Sequence, residues 1–283
     1  MKHSVPITKL FLVLFLFLAG NSCAQSGSRS KYGNNKKAGH FIELNGVKLY
    51  YEDYGKGKPI IVLHGNGGNI SAMSPQIDYF SKNNRVIVMD CRGRGKSELG
   101  KDSLTYIQMT KDLNGLLNHL KLDSTYIIGR GDGAIIGLLL AVNYPDKAKK
   151  IAAFEINITP GTDELYDVES ITAARKHAEQ MLAENDTSDN WFLIRQLYRL
   201  VEFQRVIPPD DLKKIQCPVL ILSCDRDTAK DERSFSVYRN IRKSNLCIFN
   251  GQTSGMTNSA PALFNVTVEN FFSERIRSEE IGE

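Results

Sequence analysis

The chain has 283 residues, 42% of them apolar and 24% charged, with 36 Lys and Arg against 32 Asp and Glu for a net charge of +4. That composition excludes a disordered or collagen-like chain. So mild a basic excess points to neither nucleic acid nor a membrane surface as partner.

Lys2 and Lys9 flank an apolar run from Leu10 to Ala19, followed by Gly20-Asn21-Ser22-Cys23-Ala24. A basic start, a short apolar run and small residues at Ser22 and Ala24 predict a signal peptide over 1–24 and an exported, periplasmic or secreted protein. A lipid anchor on Cys23 is the alternative, although Gly20-Asn21-Ser22 is a poor match to the lipidation motif. The leader's apolar run is too short to span a bilayer comfortably, and no other stretch could span a membrane. Residues 25–39 are rich in Ser, Gly, Asn and Lys and read as a flexible tether.

The folded part is expected over 40–277, with a tail at 278–283. It opens with a hairpin: alternating residues on either side of Asn45-Gly46 predict a type I′ turn. Strands are predicted at 59–63, 85–90, 126–128, 151–154, 219–222 and 246–249. Helices are predicted at about 72–82, 106–120, 134–143, 231–242 and 260–277. From about 159 to 214 the pattern is helical throughout. Short apolar strands alternating with helices imply an α/β fold, with a mostly parallel sheet flanked by helices. The helical stretch at 159–214 reads as a cap inserted before the last two strands. In such sheets chemistry gathers at the carboxyl ends of the strands.

Cys91, Cys217, Cys224 and Cys247 lie in or beside apolar runs. Buried free thiols fit them better than a disulfide, which export would permit. No Cys-x-x-Cys or His cluster suggests a metal, and no cofactor is implied.

Five short motifs occur in order on these elements: His64-Gly65-Asn66-Gly67-Gly68, Asp90-Cys91-Arg92-Gly93-Arg94-Gly95-Lys96-Ser97, Gly129-Arg130-Gly131-Asp132-Gly133, Cys224-Asp225-Arg226-Asp227, and Gly251-Gln252-Thr253-Ser254 before Pro261. Together they resemble the capped α/β-hydrolases of esterase, lactonase and iminopeptidase type. The resemblance implies a Ser nucleophile at the centre of Gly-x-Ser-x-Gly, then an acid, then a histidine. Here the centre is Gly131, and no Gly-x-Ser-x-Gly occurs elsewhere. Asp227 matches the acid. Counting back from Pro261 places the histidine at Ser254. The only histidines are His3, His40, His64, His119 and His177, so nothing after residue 177 can supply one.

Two catalytic positions are thus substituted, and the resemblance predicts a pseudoenzyme. What survives is the binding half. Backbone N–H groups of Asn66 and Asp132, beside Gly65, are the expected oxyanion donors. Asp132 as nucleophile would place Arg130 and Ala134 where small turn residues belong, and Arg130 fits poorly. His64 is expected to be structural, and Arg92 to make an ion pair. Trp191, Phe192, Tyr198 and Phe203 are expected mainly to fasten the cap. The sequence therefore predicts a non-catalytic small-molecule binder. Two alternatives stay open: a hydrolase of esters or lactones with a non-standard mechanism, and a protein-interaction module of the cell envelope.

Overall fold

A computed structural model describes residues 31–156, 168–203, 207–226 and 231–273. The proposed leader, the tail at 278–283 and Asp227 lie outside the described residues.

Eight strands form one sheet: β1 (Gly39–Leu44), β2 (Val47–Tyr54), β3 (Lys58–Leu63), β4 (Asn84–Met89), β5 (Thr125–Arg130), β6 (Ala148–Phe154), β7 (Val219–Cys224) and β8 (Ser244–Phe249). Their order is β1-β2-β4-β3-β5-β6-β7-β8. β2 runs antiparallel to both its neighbours, and every other pairing is parallel. The expected α/β class is therefore the observed one. The turn between β1 and β2 carries positive φ at both Asn45 (49°) and Gly46 (76°), as a type I′ turn requires.

The helices are α1 (Ser74–Phe80), α2 (Tyr106–His119), α3 (Asp132–Asn143), α4 (Val168–Ala183), α5 (Trp191–Phe203), α6 (Pro209–Leu212), α7 (Asp231–Asn240), α8 (Met256–Ser259) and α9 (Pro261–Ser273). The central strands are buried on both faces, so they read as continuous apolar runs. Alternation then sorts each side chain to one layer. Ile61, Leu63, Ile87 and Met89 face the layer of α2 and α3, with Leu113, Leu117 and Ile136. Ile60, Val62, Val86 and Val88 face the layer of α1 and α9, with Ile77, Phe80 and Phe264. Each such side chain contributes about 1.5–3 kcal/mol when removed from water.

Between β6 and β7 the described residues contain helices only, as the polar-amphipathic pattern predicts. α4 and α5 pack through Ile171, Ala174 and Tyr198 and are cross-linked by Arg175, which pairs with Glu179 and Glu202. Leu193, Leu197 and Leu200 of α5 join the main core, and Gln196 Oε1 accepts the Leu104 N–H at 3.2 Å. The helical insertion is thus fastened to the loop after β4. Among the described residues the four cysteines are free thiols, and three of them are buried.

Part of the stretch read as a tether is instead docked on the domain. Tyr32 is buried against α1 and stands edge-on to Tyr54. Lys31 and the Tyr32 hydroxyl both bind Asp78. The cause is Glu52, a fully buried carboxylate on β2. It accepts from Gly33 N–H (2.8 Å), Asn35 N–H (2.9 Å), Tyr50 Oη (2.7 Å) and Tyr54 Oη (2.8 Å). Polar composition suggested a free segment. A buried carboxylate needing four donors makes it a strap.

Glu52→Ala strands two backbone donors and two hydroxyls, and removes the reason for residues 31–38 to dock. We expect a loss of about 2–4 kcal/mol in urea unfolding, with new proteolytic cleavage between residues 31 and 38. Unchanged protease resistance would contradict this role.

Candidate functional site

The loops at the carboxyl ends of β3, β4, β5 and β6 meet around Gly131. Gly131 caps α3 with φ 51° and ψ −115°, a conformation open to glycine that L side chains rarely adopt. Its N–H donates to Phe154 O of β6 (2.9 Å), and its carbonyl accepts from Ala134 N and Ile135 N. The turn can be this sharp because its two flanking glycines approach other backbone. A Cβ on Gly133 would lie 2.4 Å from Leu63 O, and one on Gly129 would lie 2.5 Å from the Gly133 carbonyl. At Gly131 itself the nearest atom to such a Cβ would be Gly65 Cα, 3.6 Å away. Space for a side chain is present at the apex, and no side chain occupies it.

Gly65 touches the turn from the other side: a Cβ there would meet Arg130 O at 3.4 Å. So the loop carrying Gly65 and Asn66 abuts the turn carrying Gly131 and Asp132. Among the described residues, neither the Asn66 N–H nor the Asp132 N–H has an acceptor. The Asp132 N–H also begins α3, where the helix dipole favours negative charge.

The side chains of these two residues are engaged elsewhere. Asp132 Oδ1 accepts from Tyr106 Oη at 2.7 Å. Asn66 Oδ1 accepts from Arg94 Nη2 at 3.0 Å. Arg94 is buried, and its Nε and Nη1 have no partner among the described residues. Burial pushes the Asp132 carboxyl up, and the nearby Arg94 charge and the Tyr106 hydroxyl only partly oppose it. Burial also lowers the Arg94 guanidinium, while Asp132 holds it up. Arg94 is thus a desolvated cation with spare donors, next to a desolvated acid. On the other flank Arg130 Nε donates to Glu155 Oε2 at 2.7 Å, across the ends of β5 and β6. Glu155 holds a left-handed backbone, φ 55°.

Sequence reasoning missed Tyr106, Arg94 and Glu155 as neighbours of the turn. Arg94 lies two residues from Arg92 in the same basic run, and nothing in the spacing distinguishes the two. Arg92 does make a buried bidentate pair with Asp112, at 2.8 and 2.7 Å. His64 is structural, as expected. Its Nδ1 faces Gly65 O (2.8 Å), and its Nε2 accepts the Cys91 N–H (3.0 Å). Full burial lowers its pKa to about 4.

Ser254 sits in the turn before α8, on the loop after β8. That loop is tied to the end of β7: Gly251 N–H donates to Asp225 Oδ1 (2.7 Å), Arg226 N–H to Gln252 O (3.0 Å), and Cys224 Sγ to Thr253 O (3.3 Å). The structure therefore brings together Gly65, Asn66, Gly131 and Asp132. It joins Ser254 to the segment leading to Asp227, which itself lies outside the described residues. Among the described residues no group of three or more His, Cys, Asp or Glu is placed to hold a metal ion.

The sequence model of the alpha/beta hydrolase fold family matches residues 58–238, more than half of the chain. Two similar curated proteins carry the provisional name carbamate hydrolase RutD. The one from Azorhizobium caulinodans is 32% identical over 105 residues, 36% of this chain and 39% of that protein. The one from Caulobacter sp. is 26% identical over 268 residues, 80% of this chain and 96% of that protein. Among solved structures, the esterase EaEST from Exiguobacterium antarcticum superposes with a TM-score of 0.73 at 23% identity, covering 83% of this chain and 100% of that one. The enol-lactonase from Burkholderia xenovorans superposes with a TM-score of 0.69 at 22% identity, covering 83% of this chain and 100% of that one.

Two tests follow from this geometry. Gly131→Ala is expected to cost about 1–3 kcal/mol, from backbone strain alone, whereas Gly133→Ala collides with Leu63 O and costs about 3 kcal/mol or more. Equal melting temperatures for the two variants would contradict the turn geometry. The second test concerns pH. Burial raises Asp90 to about 6, so the folded state binds an extra proton between about pH 6 and 4, and Asp90 adds stability as pH falls. His64, lowered to about 4, removes stability over about pH 6.5 to 4, by about 3 kcal/mol in full. Asp90→Asn deletes the compensating group. Its urea stability should fall more steeply than that of the parent between pH 6 and 4.

Proposed function

The chain belongs to the α/β-hydrolase fold family, and from that premise we propose that it is an exported, non-catalytic binder of a small acidic or carbonyl-bearing molecule. The observation that carries this reading is Gly131. The turn keeps the positive-φ backbone that in this family presents a nucleophile, and the apex residue has no side chain with which to attack. The family's histidine is equally unsupplied, because the last 106 residues contain none (283 minus 177). Glycine holds this backbone without steric cost, so the turn's backbone donors stay in place although the side chain is gone. What this turn can still do is hold a ligand oxygen at the Asn66 and Asp132 N–H groups, with the Arg94 charge behind them.

Ser254 and Asp227 then complete a degenerate triad, with α4 and α5 as the cap over the ligand. A second reading is hydrolysis without a serine. The hydrolase names of the similar proteins and the Arg130–Glu155 pair beside the turn favour it.

The test treats the purified chain with a fluorophosphonate and with a panel of aryl esters and lactones. We expect no labelling and no turnover above buffer. Gly131→Ser with Ser254→His should gain labelling at residue 131. In parallel, small carboxylates such as succinate or benzoate should raise the melting temperature of the parent but not of Arg94→Gln. Turnover of any panel member by the parent chain would overturn the non-catalytic reading in favour of the second one.

A further inference from the structure

The net charge of +4 conceals a strong asymmetry. Because β3 to β8 are parallel, the segments that lead into them share one edge of the sheet, opposite the Gly131 turn. These segments are 55–58, 81–85, 120–124, 144–150, 213–218 and 240–244. They hold twelve Lys and Arg and two acids, Asp123 and Asp146, for a charge of +10. The rest of the chain therefore carries −6, which is +4 less +10.

Some of these cations are engaged. Arg85 pairs with Asp53, Lys213 with Asp210 and Lys214 with Asp211, and Lys150 is buried with its Nζ on Phe271 O. Others, including Lys56, Lys58, Lys149, Arg242 and Lys243, are exposed and form no salt bridge among the described residues, and the exposed Lys82 lies near Asp78, which Lys31 already binds. From β4 to β8 they follow six adjacent strands, a strip about 24 Å long at ~4.8 Å per strand.

A second, independent feature points to the same edge. The strap delivers the chain there. Tyr32 stands edge-on to Tyr54, the last residue of β2, which runs antiparallel and ends at this edge. Lys31 is held by Asp78, toward the end of α1. Between Ala24 and Lys31 lie only six residues, a reach of about 25 Å when extended.

We propose that this basic edge is a docking surface for anionic lipid headgroups, which the strap holds against the membrane while the Gly131 turn faces away from it. Charge complementarity and chain entry point agree on the surface. Lys and Arg near an anionic leaflet attract it by a similar amount each, and salt screens the attraction. The acidic end of the chain, with two Arg and four Glu over 274–283, is too weakly charged to neutralise the edge.

The test uses chain 25–283, which contains every described element, and co-sedimentation with vesicles of 30% phosphatidylglycerol in phosphatidylcholine. We expect binding at 50 mM NaCl that weakens at least about tenfold at 300 mM NaCl, and at least about tenfold on pure phosphatidylcholine. The combined variant Lys56→Glu, Lys58→Glu, Lys82→Glu and Lys149→Glu should lose at least about tenfold, with its thermal melt retained as proof of folding. Lys101→Glu with Lys176→Glu, away from the edge, should bind as the parent does. Equal loss in both variants would reduce the effect to net charge and overturn the proposal. So would equal binding to neutral vesicles, equal affinity for a short DNA duplex at the same salt, or binding that appears only after residues 274–283 are removed.

Discussion

The contact on which the functional end of this molecule depends is the approach of Gly133 to the Leu63 carbonyl. It presses the start of α3 against the end of β3 so closely that no Cβ fits between them. From that approach follow the sharp turn after β5, the positive φ at Gly131 and the meeting of the Gly65 loop with Arg130. The two backbone N–H groups reach one place because glycine, at several points, lets backbone lie against backbone. At the apex of this arrangement Gly131 leaves open space where a side chain would fit.

Around the turn the charges are arranged in two unlike ways. Arg130 and Glu155 neutralise each other at partly exposed positions, which makes that pair a modest contributor to stability. Arg94 is buried with donors to spare and holds only the Asn66 amide among the described residues. A buried guanidinium so sparsely satisfied is expensive. Asp132, with its carboxyl pushed toward the neutral form, supplies only part of the missing compensation. The site is therefore polarised toward accepting negative charge.

Most of the architecture was legible in the sequence because it rests on short-range rules. Two-sided burial gives β3 to β7 their unbroken apolar runs, Asn45-Gly46 dictates the hairpin, and the spacing of Met109, Leu113, Leu116 and Leu117 dictates α2. The turn at Gly131 was legible for the same reason: glycines at 129, 131 and 133 on a strand-to-helix junction have few other uses. Arg94, Tyr106 and Glu155 were not, because they come from two loops and the first turn of α2 and meet only through the sheet order. The docking of residues 31–38 was hidden too. Its determinant, Glu52, looks like any exposed strand carboxylate until β2 is seen to be covered on that side.

That strap has a consequence for where the folded unit begins. The family match starts at Lys58, and sequence reasoning starts the domain at residue 40. A fragment cut at residue 40 would discard the two amides at Gly33 and Asn35 that saturate Glu52, and with them the Tyr32 ring seated on α1, and one cut at Lys58 would lose Glu52 itself with β1 and β2. Such a fragment would retain every recognisable motif and still be missing a piece of its interior. The smallest autonomous version of this protein therefore begins before its family resemblance does, at or ahead of Lys31.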